Sequence, residues 1–227
     1  MPCDPTISVA FETSGRTGQI ALGRGDTLLE ACHLPQKKRH NLELVPALDA
    51  LCREHGLTAG DLDELYISLG PGSFTGLRVA VATAQMLAMT NPKLKLVGVP
   101  TIEVLALQHK DACEHIAVCL NIKRGTMFAG VYQDGRAVVA PALRTADDLL
   151  TQAPRPLAVV AEVDCGIEPG DGVTLLLPEA AVADASITWA VGRALAGQGQ
   201  YTAPPELQPL YIRQPEAVTI WDEQGKA

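Results

Sequence analysis

Seven residues, Gly70-Pro71-Gly72-Ser73-Phe74-Thr75-Gly76, carry the strongest chemical signal in the chain. They follow a short apolar run, Leu65 to Leu69, and precede a helical stretch, Leu77 to Thr90. A glycine-rich turn from a buried strand into a helix offers free backbone N–H groups and the positive end of the helix dipole. Together these suit an anion. The loop is not a Walker A motif, because Gly76 is followed by Leu77-Arg78 rather than by Lys and Ser or Thr. Nor is it a nucleophile elbow, since Ser73 lacks glycines two residues before and after it. The plainer alternative is a tight turn that needs glycine dihedrals, and pattern alone leaves both readings open.

Other chemically capable residues form weaker patterns. His109, Cys113, His115 and Cys119 lie close in sequence, but their spacing fits no zinc motif. On one strand His115 and Cys119 would share a face yet stand about 13 Å apart. No metal site is expected. There is no His-Glu-x-x-His, so a metallopeptidase has no support. Asp61, Asp63 and Glu64, and the pair Asp147 and Asp148, fall at helix starts or turns, where solvated caps explain them.

These residues must be positioned by an alternating set of elements. Ile7–Phe11, Gln19–Leu22 and Thr27–His33 read as an antiparallel meander. Asn41 to Gly56 reads as a helix, with Asn41 as N-cap and Gly56 as stop. Pro46 requires that helix to start nearer Leu44 or to kink. Strand Leu65–Leu69, helix Leu77–Thr90, strand Leu94–Val99 and helix Thr101–His109 follow, the two strands as parallel neighbours. Strands at Ile116–Ile122, Thr126–Gln133 and Ala137–Ala140 come next, then a short helix Thr145–Gln152 capped by Thr145. Strands Leu157–Val163 and Val173–Leu177 and a helix Ser186–Ala196 precede a Pro-rich tail. No repeat of 20 to 50 residues is visible in the sequence. The pattern predicts an α/β chain with mixed sheets in two lobes: residues 1–109, residues 110–200, and a tail 201–227 that packs back on the first lobe.

Helix Leu77–Thr90 is apolar nearly all round; only Arg78, Thr83, Gln85 and Thr90 break it. Such a helix must be covered on both sides, by a second lobe or by another protein. Composition agrees: 47% of the 227 residues are hydrophobic and only 19% charged. That balance excludes a disordered chain. No apolar run reaches the roughly 20 residues that span a bilayer. The net charge of −8 and 4% aromatic content disfavour direct RNA binding; the one basic run is Lys37-Lys38-Arg39-His40. Six scattered cysteines without a C-x-x-C pair, and no secretory leader, fit reduced thiols in the cytoplasm.

The motifs resemble those of one family. Gly70-Pro71-Gly72-Ser73-Phe74-Thr75-Gly76-Leu77-Arg78 resembles the signature of TsaB, the bacterial accessory protein of tRNA threonylcarbamoyladenosine synthesis. Phe11-Glu12-Thr13-Ser14, Arg39-His40-Asn41 before Leu44-Val45-Pro46, Gly98 to Leu105, and Pro209-Leu210-Tyr211-Ile212-Arg213 resemble further family segments. The likeness is tight over about Leu65–Leu107 and loose beyond Asp111.

The resemblance implies a two-lobed ASKHA fold, the actin, hexokinase and Hsp70 class. It implies a non-catalytic subunit that forms a heterodimer with TsaD, its catalytic paralogue. TsaD transfers the threonylcarbamoyl group to the adenosine next to the anticodon, and TsaE, an ATPase, docks on the pair. tRNA would meet this chain mainly through the partner. No cofactor would be required by the chain itself, though ATP or ADP at the partner interface is compatible, as is a homodimer when the partner is absent. TsaD-like chains carry His-x-x-x-His where this chain has Thr101 and Leu105, and leucine cannot bind a cation. Glu12 stands where an Asp is usual, and Asn121-Ile122-Lys123-Arg124 departs from an acidic family turn. The family's partner contact maps onto Asn41–His55 and Leu77–Thr90. Leu44, Leu48, Leu51, Ala80, Ala84, Leu87 and Ala88 become the expected interface, so Ala84→Arg or Ala88→Arg should break the heterodimer and spare the fold. Two other classes compete: a free-standing ASKHA ATPase or phosphotransferase using Glu12, and a glycoprotease-like peptidase.

Overall fold

The computed structural model describes residues 5–35 and 43–212. The basic run at 37–40, the Asn41 cap, the Arg39-His40-Asn41 segment and Arg213 lie outside the described residues. Two five-stranded mixed sheets form the frame. The first contains β1 (Ile7–Glu12), β2 (Gln19–Arg24), β3 (Thr27–His33), β4 (Glu64–Gly70) and β5 (Lys95–Pro100), in the order β3-β2-β1-β4-β5. The second contains β6 (His115–Lys123), β7 (Thr126–Gln133), β8 (Arg136–Arg144), β9 (Leu157–Ala161) and β10 (Val173–Leu175), in the order β10-β9-β6-β7-β8.

Each sheet is the same design. A three-strand antiparallel meander comes first, and two strands then add in parallel beside its first strand. This duplicated, two-sheet arrangement is the ASKHA fold. The central strands read as continuous apolar runs because both faces are covered; every residue of β1 is buried. The edges differ in kind: β3 is largely exposed, and β8 carries Pro141 and terminal arginines, which an edge tolerates.

Among the described residues five α-helices fill three layers: α1 (Leu44–Glu54), α2 (Phe74–Thr90), α3 (Thr101–Gln108), α4 (Ala146–Gln152) and α5 (Ala185–Gly197). The central core lies between the sheets, where α3 and α5 pack with Tyr66, Val97, Val118 and Val160. The outer face of the first sheet is covered by α1 and α2. The outer face of the second is covered by α4. Although α5 falls in the span 110–200, it packs on the first sheet: Trp189 Nε1 donates to Ser8 Oγ at 2.8 Å, and Gly192 leaves room for the Tyr66 ring. The tail also returns to this sheet, with Thr202 N–H donating to Leu96 O and Leu210 N–H to Leu69 O.

Helix α1 begins at Leu44 without a side-chain cap, which leaves Pro46 in its first turn, where the missing N–H costs nothing. Gly56 takes φ +69° and stops it. Thr145 and Asp148 form a capping box at α4. Helix α2 starts three residues earlier than its apolar pattern suggests, because Ser73 Oγ accepts the Gly76 N–H and caps it.

Candidate functional site

The loop after β4 is not an open cradle. Gly72 and Gly76 pack against the chain's own first turn. Ser73 N–H donates to Ser14 O at 2.7 Å, and Thr13 Oγ1 donates to Gly76 O at 3.0 Å. A Cβ on Gly72 would stand 2.5 Å from Ser14 O, and one on Gly76 would overlap the Thr13 carbonyl. Gly70 takes φ +96°, a conformation that favours glycine. Of the two readings of this loop, the geometry supports the tight turn: glycine permits close backbone packing between Gly70–Gly76 and Thr13–Ser14.

The same turn is anchored by Glu12, which is 1% exposed. Glu12 Oε1 accepts Ser14 N–H at 2.8 Å and Ser14 Oγ lies 2.5 Å away. Oε2 lies 2.8 Å from Thr188 Oγ1, on α5. Burial pushes the Glu12 carboxyl above its usual range, and these hydrogen bonds only partly oppose that. Thr188 Oγ1 also lies 3.1 Å from Asp184 O, and its single proton can go to only one acceptor. The hydroxyl can therefore donate to Glu12 Oε2 or to Asp184 O, one at a time. Both Glu12 oxygens thus have partners within the protein.

Arg78 and Phe74, on the outward side of the first turns of α2, meet Tyr211 of the tail. The Arg78 guanidinium lies 3.8 Å from the Phe74 ring centroid, and Arg78 Nε donates to Tyr211 OH at 2.8 Å. Beside them is a cavity of about 190 Å³ lined by Pro71, Phe74, Leu77, Asn121, Leu210 and Tyr211. It is smaller than the roughly 300 Å³ at which small-molecule pockets begin. Thr75 points outward.

The expected interface residues separate into two groups. Leu44, Leu48, Leu51, Ala80 and Ala84 are at most 2% exposed and belong to the core beneath α1 and α2. They cannot touch a partner in this fold, and an arginine at position 84 would disrupt the core. Leu87 and Ala88 are half-buried against the same core. The outward face of α2 is instead Phe74, Arg78, Ala82, Met86 and Met89, with Met86 60% and Met89 81% exposed. On α1 Val45 is an exposed large hydrophobic residue. The second sheet does not cover α2. Part of its flank is covered by the tail, where Gln85 Nε2 donates to Pro204 O at 2.8 Å and Leu207 is fully buried. Sequence reasoning noted Tyr211 only within a family segment and did not single out Met86, Met89 or Leu207; the four-residue spacing Phe74, Arg78, Ala82, Met86 was the available signal.

Thr101 opens α3 and Leu105 lies one turn on, both buried between the sheets. Leu105 packs in the central apolar core. His109 directs Nε2 at Ala180 O, 2.6 Å away, whereas His115 directs Nδ1 at Pro156 O, 3.1 Å away. Cys119 belongs to the separate cluster under α4. Among the described residues no three His, Cys, Asp or Glu converge on a common point. No described helix is long and apolar enough to cross a membrane.

Comparison with known proteins adds the lineage. Residues 27–160 match the family described as TsaD, tRNA N6-adenosine threonylcarbamoyltransferase. The TsaB protein of Bacillus subtilis is 31% identical over 125 residues, which is 55% of this chain and 54% of that protein. The TsaB protein of Buchnera aphidicola (Schizaphis graminum) is 32% identical over 98 residues, 42% of this chain and 46% of that one. The matched stretch spans about half the length of these curated relatives. A solved Pseudomonas aeruginosa protein, described as similar to the peptidase YeaZ, superposes with a TM-score of 0.77 at 19% identity, covering 92% of this chain and 100% of that one. That likeness shows the fold. The family match covers more than half of the chain, and the chain belongs to the TsaD family, in its TsaB branch.

Proposed function

We propose that this chain serves tRNA threonylcarbamoyladenosine biosynthesis as a non-catalytic subunit that binds a TsaD-like transferase through α2 and the outward edge of α1. The observation that carries this reading is the outward face of α2, where Phe74, Ala82, Met86 and Met89 stand exposed in a row. Contiguous exposed apolar stripes mark protein contacts, and methionines adapt their shape to a partner helix. The chain supplies no transfer chemistry of its own: Leu105 fills a position that holds a metal ligand in TsaD-like chains, and both Glu12 oxygens are engaged. Any nucleotide would belong to the joint interface, and the TsaE-like ATPase would dock on the assembled pair. tRNA would be held chiefly by the partner, consistent with a net charge of −8.

The test is a transfer assay on tRNA with threonylcarbamoyl-adenylate as donor. The chain alone should give no modified adenosine. Adding it to a TsaD-like subunit should raise the rate well above that of the subunit alone. Modification by the chain alone would overturn the reading.

A further inference from the structure

The second sheet brings together two cysteines that the sequence keeps far apart. Cys119 lies on β6 opposite Ala161 at the end of β9. The turn beyond β9 is closed by Asp164, whose Oδ1 accepts the Gly166 N–H at 2.8 Å, and by Gly166 at φ +72°. That turn places Cys165 against the cluster that contains Cys119. The buried Cys119 thiol donates to Cys165 Sγ, which also receives the N–H groups of Ile167 and of Cys165 itself. Cys165 is half-buried, whereas Cys119 is buried. Three donors around one sulfur favour its thiolate and hold Cys165 down to about 7, with burial and the Asp164 carboxylate opposing. Donating to that thiolate and being buried both push Cys119 up, so it stays a thiol. Burial pushes Cys52 up to about 11.

We propose that Cys165 is a site of modification by hydroperoxides and that Cys119 resolves the product as a Cys119–Cys165 disulfide. The Cys165 thiolate attacks one peroxide oxygen and the O–O bond breaks. Cys165 becomes a sulfenic acid, and the departing oxygen takes a proton. With hydrogen peroxide that product is water. The Cys119 sulfur then attacks the sulfenic sulfur, the S–O bond breaks, and the leaving hydroxide takes the Cys119 proton as a second water. Two thiols are oxidised by two electrons and one peroxide is reduced.

The experiment uses the full chain in a Cys113→Ser background, so that the tryptic peptide holding Cys119 has one cysteine. After hydrogen peroxide at pH 7 and alkylation, mass spectrometry should find a peptide linking Cys119 to Cys165, two mass units lighter than the reduced pair and restored by dithiothreitol. Cys119→Ala should leave Cys165 as a sulfenic acid that reacts with dimedone, and Cys165→Ser should abolish the link. Iodoacetamide should label Cys165 at least about tenfold faster than Cys52 under native conditions. Circular dichroism checks that each variant folds. No linked peptide at a peroxide dose that oxidises a free small thiol, or labelling no faster than at Cys52, would overturn the proposal.

Discussion

Thr13 and Gly76 hold each other at the centre of the signature loop: Thr13 Oγ1 donates to Gly76 O at 3.0 Å, while the Thr13 carbonyl fills the space where a Gly76 side chain would go. The glycine thus serves the fold. Gly76→Ala should destabilise the protein by about 1–3 kcal/mol, the usual cost of overpacking a fixed backbone contact. At this chain length the melting temperature should fall by about 2–4 °C for each kcal/mol. Thr75→Ala, next door and exposed, should leave the melting temperature unchanged. Thermal denaturation followed by circular dichroism compares the two.

Glu12 makes stability depend on pH in a fixed direction. Its carboxyl is raised above the ordinary value of 4.5, so the folded chain holds the proton more tightly than the unfolded chain. Glu12 therefore contributes a loss of stability as pH rises from about 4.5 through its folded value, and no further change above that. Glu12→Gln keeps an acceptor for Ser14 and a donor for Thr188 while removing the ionisation. Urea denaturation at pH 5 and pH 8 should show the wild type losing more stability between the two than the variant does.

The two faces of α1 should respond differently. Leu48→Ala empties a site that is 2% exposed and should cost about 2–5 kcal/mol of stability. Val45→Asp, on the outward face, should change stability by no more than about 0.5 kcal/mol. It should still weaken binding to a TsaD-like subunit, measured by calorimetry.

Much of the fold was legible because its signals are local. Strand β3 (Thr27–His33), strand β7 (Thr126–Gln133), the Thr145 cap and the Gly56 stop all follow from nearby residue types. The repetition of one strand order in both sheets was not legible, since topology can repeat where side chains do not. The facing of α2 was lost for a related reason. With apolar residues all round, periodicity cannot say which side meets the sheet. Ala80 and Ala84 are buried while Ala82 and Met86 are exposed, and only the packing of α2 on β4 and β5 decides that. The pairing of Gly76 with Thr13, or of Cys119 with Cys165, likewise depends on strand neighbours distant in sequence.

The most direct measurement is the affinity of purified chain for a purified TsaD-like subunit, with Ala82→Arg and Met86→Glu as variants. Both positions are exposed in the isolated chain, so each variant should keep its melting temperature within about 2 °C. The wild type should form a 1:1 complex, and each variant should bind at least about a hundredfold more weakly, as for a charge placed in an apolar contact. Wild-type affinity in both folded variants would contradict the assignment of this face to the partner.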